Sequence, residues 1–108
     1  MAKPVRLRRL AAEDIDAALD HYCSEAGHDV AARFIGSVGR AITRIGRHPD
    51  NGSLRFAYEL GIPDLRCCPL PRFPYLALYI ERETEVDAWR VLHTRRDIPS
   101  TLAETNEQ

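Results

Sequence analysis

Arginines such as Arg66, Arg72 and Arg90, and histidines such as His93, are the side chains in this sequence that can bind anions or move a proton. An arginine fork meets carboxylate or phosphate oxygens two at a time. A histidine, with a reference pKa of about 6.5, serves as acid or base near neutral pH. His93 has a second reading. It stands just before Arg95-Arg96-Asp97, where it can anchor the closing turn by hydrogen bonds, and Asp97 can close the domain by pairing with an arginine. Lys3, beside Pro4, is the only lysine, so a lysine base or Schiff base is not expected. Cys23, Cys67 and Cys68 are odd in number with two adjacent, which makes neither a disulfide framework nor zinc spacing. They read as buried or half-buried thiols. No metal cluster, phosphate-binding glycine loop, serine–histidine–acid signature or cofactor motif is visible, and Asn51-Gly52 reads as a turn. Neither cofactor nor metal is expected.

The chain that must position these groups has 108 residues, which fits one domain. A domain of this size buries roughly 60–65% of its unfolded surface, enough for one modest core. The net charge is −1, from 15 basic and 16 acidic side chains. A dedicated nucleic-acid binder carries a clear positive excess, so DNA or RNA is disfavoured as the main partner. No apolar stretch follows Arg6, Arg8 and Arg9 to make a signal peptide, and no run is long enough to span a membrane. The expected location is the cytoplasm.

Pro4–Leu10 reads as a first strand, with Val5 and Leu7 alternating against Arg6 and Arg8. Ala11, Ile15, Ala18, Leu19 and Tyr22 then recur at helical spacing. Glu13 and Asp14 suit the positive end of that helix's dipole, and Gly27 is a natural stop. A second helix runs from about Asp29 to Arg47, with Val30, Ala31, Phe34, Val38, Ala41, Ile42 and Ile45 on its apolar stripe. Arg33, Arg40, Arg44 and Arg47 share another face. Gly36 and Gly39 cost this helix about 1 kcal/mol each relative to alanine and imply close approach of a neighbouring helix or the sheet.

Pro49 to Asp64 reads as a long connection with one turn of helix around Phe56–Leu60. Three strands follow at Leu65–Leu70, Tyr75–Arg82 and Glu85–His93, close enough for antiparallel hairpins. The fold class is therefore α+β in the order β-α-α-β-β-β, an antiparallel sheet packed against an N-terminal helical hairpin. The domain is expected to span residues 1–98, with 99–108 as a polar, flexible tail.

The closing run from Trp89 through Arg90-Val91-Leu92-His93-Thr94-Arg95-Arg96-Asp97 resembles the C-terminal signature of the ParE branch of the RelE/ParE toxin superfamily. Ala12, Asp16 and Tyr22 resemble the family's first-helix pattern, and Leu65-Arg66 the start of its second strand. Phe73-Pro74-Tyr75 with Leu78-Tyr79 resembles its third. The resemblance covers Val5 to Ile98 and implies the same fold. It implies a toxin that inhibits DNA gyrase and is neutralised by a cognate ParD-like antitoxin. That antitoxin would be a ribbon-helix-helix protein through which the complex binds operator DNA. RelE-branch relatives cleave messenger RNA on the ribosome with clustered lysines and arginines, often with a C-terminal tyrosine or histidine. Arg66, Arg72, Arg90 and His93 make only a reduced version of that cluster, which favours gyrase inhibition or another non-nucleolytic activity over cleavage. A third alternative is an inactive co-repressor bound to antitoxin.

For partner contact the candidates are Arg33, Arg40, Arg44, Arg66, Trp89, Arg90, Arg95 and Arg96. Arg66 and Arg90 would meet antitoxin carboxylates if both stand on an open sheet face. Strand parity does not choose that face, because Leu65 with Cys67 is as good a core pair as Cys68 with Leu70. The arginines of the second helix are either its wet side or a target-docking surface. Trp89 is either core or a partner anchor. The meander also leaves sheet edges that an antitoxin segment would cover.

Overall fold

The structure is a computed structural model that describes residues 2–106. Its first strand, β1 (Val5–Leu7), is shorter than the alternation suggested. Arg8 N–H donates to Ala88 O at 2.9 Å, and the chain then turns straight into α1 (Arg9–Ala26). Because α1 starts at Arg9, Glu13 and Asp14 fall in its second turn, and no acidic residue occupies the first. The dipole role expected of them does not apply. Ala11, Ile15 and Ala18 are the buried stripe of α1. Gly27, at φ +89°, makes the reversal into α2 (His28–Arg47), a conformation that a side chain disfavours. Ala31, Phe34, Val38, Ala41 and Ile45 form the buried stripe of α2.

A short 3-10 turn (Pro49–Asn51) and a helix, α3 (Arg55–Leu60), fill the connection. The meander is β2 (Arg66–Pro69), β3 (Tyr75–Glu81) and β4 (Val86–His93). The sheet order is β1-β4-β3-β2. Both meander pairings are antiparallel. The α+β class and the order of the main elements are as expected, but the sheet is mixed, because β1 pairs parallel with β4.

Both faces of the sheet are covered. On one, Phe34, Val38 and Ile45 pack against Cys68, Ala77, Tyr79, Val86 and Val91. On the other, Phe56, Ala57, Ile98 and Leu102 cover Leu65, Cys67, Leu78, Ile80, Trp89 and Leu92. This explains why alternation in β2 did not choose a face: Cys67 and Cys68 point opposite ways and both are buried.

The second cover corrects the expected flexible tail. Residues Ile98–Asn106 form a helix, α4, with Leu102 fully buried. Asp97 caps it: its carboxylate accepts from Ser100 N at 3.3 Å and from Ser100 Oγ at 3.0 Å. The capping motif Asp97-Ile98-Pro99-Ser100 was legible in the sequence, with an aspartate cap and proline in the first turn. Residues 107–108 of the expected tail lie outside the described residues.

Close approach of a glycine does occur, at a position the sequence reading passed over. A Cβ on Gly46 would stand 2.7 Å from the backbone oxygen of Lys3, whereas a Cβ on Gly39 would meet nothing within 4 Å. Gly36 would meet only Arg40 Nη1, at 3.4 Å. Neither Gly36 nor Gly39 therefore admits a neighbouring helix or the sheet. Two opposite outcomes are expected in urea unfolding. Gly46→Ala should destabilise by about 1–3 kcal/mol through overpacking against fixed backbone. Gly39→Ala should stabilise by up to about 1 kcal/mol through helix propensity.

Candidate functional site

β1 ends at Leu7, opposite Ala88, so from there on β4 has β3 on one side and no strand on the other. The register breaks at the same place. Leu78 lies opposite Arg90 while Tyr79 lies opposite Ala88, which leaves Trp89 as the extra residue of a bulge. α1 crosses this bare edge and supplies Asp14. Its Oδ2 accepts from Val91 N at 3.0 Å and from Arg90 Nε at 2.7 Å, and its Oδ1 accepts from Arg90 Nη2 at 2.7 Å. Each of the two side chains is only 11% exposed. The hydrogen bonds that Arg90 donates to Asp14 raise its pKa further, against the opposing effect of burial. Arg90 is thus a fork closed on an internal carboxylate, and it does not stand on an open sheet face. Asp14 was missed as a partner, although a signal existed: with Ala11, Ile15 and Ala18 it falls at i+3 on the buried stripe. A carboxylate there needs an internal cation or donor.

Arg66 is also engaged. Its Nη1 donates to Gly52 O at 2.8 Å and ties β2 to the preceding connection. Beside it, Tyr79 Oη donates to Pro49 O at 2.7 Å. Burial pushes the Tyr79 phenol up to about 12, so it stays protonated. Burial likewise raises the thiols of Cys67 and Cys68, which favours the unreactive thiol form. Cys23 is exposed, and all three cysteines are free.

Trp89 is core: it is 4% exposed and packs in the second-face cluster. Its Nε1 donates to Asp87 Oδ2 at 3.1 Å, and the Arg8 guanidinium lies 4.3 Å from the ring centroid. Asp87 also accepts from Arg8 Nε and Nη2, both at 3.0 Å, and from Arg82 Nη2 at 3.1 Å. Burial pushes this carboxyl up, but the hydrogen bonds from Arg8 and Arg82 outweigh it and hold the pKa below its ordinary value.

His93 is half-buried at the end of β4. Its Nδ1 accepts from Arg95 N at 3.0 Å, and its ring meets Tyr75 edge-on at 5.1 Å between centroids. Arg95 and Arg96 are exposed on the turn that follows. Asp97 acts on α4, as described above.

The remaining arginines form a separate group. Arg33 and Arg40, one helical face of α2, converge with Arg72 from the β2–β3 turn on a groove of about 630 Å³, floored by Val30, Pro71 and Phe73. Arg40, Arg44 and Arg47 line a second groove of about 570 Å³ further along α2, with Gly36 and Gly39. The turn that carries Arg72 is fastened to the helix: Ser37, fully buried, donates from Oγ to Pro71 O at 2.6 Å. Arg72 sits at φ +65°, a left-handed conformation that costs a non-glycine residue about 1–2 kcal/mol. Of Arg66, Arg72, Arg90 and His93, Arg72 alone lines this groove with the α2 arginines. Among the described residues no group of three or more His, Cys, Asp or Glu is placed to hold a metal ion. No described helix is long and apolar enough to cross a membrane.

This arrangement of helical hairpin, four-stranded sheet and edge clamp can be compared with known proteins. A family model described as the ParE toxin of the type II toxin–antitoxin system parDE matches residues 5–98. The chain belongs to this ParE toxin family. A solved chain from the chromosomal ParDE toxin–antitoxin system of P. aeruginosa is similar to it in structure, with a TM-score of 0.70 at 23% identity. That likeness covers 85% of this chain and 96% of the other and speaks for the shared fold. Among curated proteins none matches at a significant level.

Removing the Asp14 carboxylate takes the ion-pair partner of the buried Arg90 guanidinium and the acceptor of the Val91 amide. Asp14→Ala is expected to destabilise by about 3–5 kcal/mol in chemical denaturation, and Asp14→Asn by less, since it keeps an acceptor. For Asp87 the sign is set by a folded pKa below the ordinary value of 3.8. Its contribution is complete above that value and is lost as pH falls through the folded pKa. In unfolding measured across pH, Asp87→Asn should therefore lower stability at neutral pH and flatten the fall below about pH 4.

Proposed function

We propose that the chain is the toxin of a type II toxin–antitoxin pair, that it acts by binding DNA gyrase, and that it performs no chemistry of its own. A cognate ParD-like antitoxin, of the ribbon-helix-helix kind, holds it inactive and carries the complex to operator DNA. The pair works in the cytoplasm. Membership of the ParE family supports the toxin and antitoxin roles.

The observation that carries the non-enzymatic reading is the closed Asp14–Arg90 pair. RNA cleavage needs groups free to activate the 2′-hydroxyl, neutralise the transition state and protonate the leaving oxygen. Of the residues with the right chemistry, Arg90 is committed to Asp14 and Arg66 to Gly52 O. One nitrogen of His93 is engaged by Arg95 N.

The test is a paired assay of the purified chain freed of antitoxin. Gyrase supercoiling should be inhibited, while messenger RNA on programmed ribosomes stays intact. Cleaved RNA with normal supercoiling would overturn the proposal and return Arg66, Arg72 and His93 to a catalytic role. Silence in both assays from a folded sample would contradict gyrase inhibition and favour a co-repressor.

A further inference from the structure

The net charge of −1 conceals an uneven division between the two helices of the hairpin. α1 carries Arg9 against five carboxylates, Glu13, Asp14, Asp16, Asp20 and Glu25. α2 carries four arginines, Arg33, Arg40, Arg44 and Arg47, against the single Asp29. A separation of this kind creates a local positive field that the total does not report.

Most of that positive charge gathers toward the end of α2. Arg40, Arg44, Arg47 and His48 line a groove of about 570 Å³. Thr43, Gly36 and Gly39 complete its lining, which includes no carboxylate. None of the three arginines has a carboxylate within 4 Å among the described residues, unlike the arginines of the β1–β4 edge. Asp50, on the turn that follows, does not line the groove.

The helix dipole explains only part of this arrangement. Arg44 and Arg47 fall in the last turn of α2, where a cation offsets the unpaired carbonyls. Arg40 precedes Arg47 by roughly 10 Å along the axis, outside that turn. Nor does the dipole explain Gly39, which is exposed and costs the helix about 1 kcal/mol relative to alanine. Nothing of the described chain lies within 4 Å of where its Cβ would stand. Gly39 therefore serves no contact inside the fold, and it leaves bare helix beside the guanidiniums for a molecule from outside.

The lining decides what that molecule is. A protein partner is held mainly by large apolar or aromatic anchors seated in pockets, and this groove has no apolar side chain to receive one. A second copy packed on the same face would set arginines against arginines. Guanidiniums and a threonine hydroxyl are groups that hold the phosphate oxygens of a nucleic-acid backbone. At i, i+4 and i+7 the arginines stand in a row along the helix, as successive phosphates do along a strand.

We propose that the Arg40–Arg44–Arg47 face of α2 holds the phosphate backbone of duplex DNA, as an accessory contact beside the protein partners. This contact goes beyond the proposed binding of gyrase and does not require it. It touches phosphates alone, so it carries no sequence preference and weakens steeply with salt.

The experiment is fluorescence anisotropy of a labelled mixed-sequence duplex with the full chain, at salt from about 50 to about 200 mM. Each neutralised phosphate contributes about −0.9 to the slope of log affinity against log salt, so three arginines should give about −2.7. That slope is a loss of about fortyfold across the range. Arg44→Gln/Arg47→Gln should reduce the slope to about −0.9 and weaken binding about tenfold or more at the lowest salt. Both positions are exposed and glutamine is a good helix former, so the fold is expected to survive, with circular dichroism as the check. Arg6→Gln/Arg9→Gln removes the same charge elsewhere and should leave affinity within about twofold. Equal losses in the two double variants would reduce the effect to net charge and overturn the proposal. Failure of the parent chain to bind the duplex at the lowest salt would overturn it as well. So would a poly-glutamate chain of matching charge that binds as tightly as the duplex, in favour of an acidic protein surface.

Discussion

Past Ala88, strand β4 has no strand on its outer side, and a carboxylate from α1 stands where the missing partner's acceptor would be. An exposed strand edge carries unpaired amides and invites pairing with another chain. Here Asp14 takes the Val91 amide and the Arg90 guanidinium together. β1 is only three residues long, so the ladder alone holds the helical hairpin weakly to this edge. The Asp14 contact fixes where α1 crosses the sheet, and with it the packing of Phe34 and Val38 over Tyr79 and Val91. The bulge at Trp89 follows from the same geometry, sending the indole to the second face to form the core with α3 and α4.

This division of labour shapes the surface. Arginines along the β1–β4 edge are spent on internal carboxylates, with Asp14 and Asp87 as the two hubs. Those of α2 and the β2–β3 turn face outward around an apolar floor. One residue type thus does two kinds of work, and position relative to the sheet edge decides which. A net charge near zero hides the contrast, because it sums the two populations.

Much of the fold was legible in the sequence because periodicity and turn residues are local signals. Ala11, Ile15 and Ala18 marked α1, Gly27 its end, and the alternation from Leu76 to Leu92 the meander. What escaped was set by contacts distant along the chain. The parallel pairing of β1 with β4 joins residues about eighty positions apart, and nothing in Val5–Leu7 announces its direction. α4 was missed by reading polarity ahead of the Asp97 cap and of Leu102. For the candidate site, residue types were visible but engagement was not. Arg90 and Arg33 look alike in the sequence, and only Asp14, far away in the chain, separates the locked arginine from the outward one.

We propose that Arg90 holds the fold together and takes no part in the proposed inhibition of gyrase. A neutral pair separates these roles. Asp14→Asn/Arg90→Gln keeps an acceptor for Val91 and a hydrogen bond between the two side chains, while removing both charges. Measured for inhibition of gyrase supercoiling, with folding checked by circular dichroism, this double variant should inhibit nearly as well as the parent chain. A folded double variant with no inhibition would contradict the account and make the Arg90 charge part of the function.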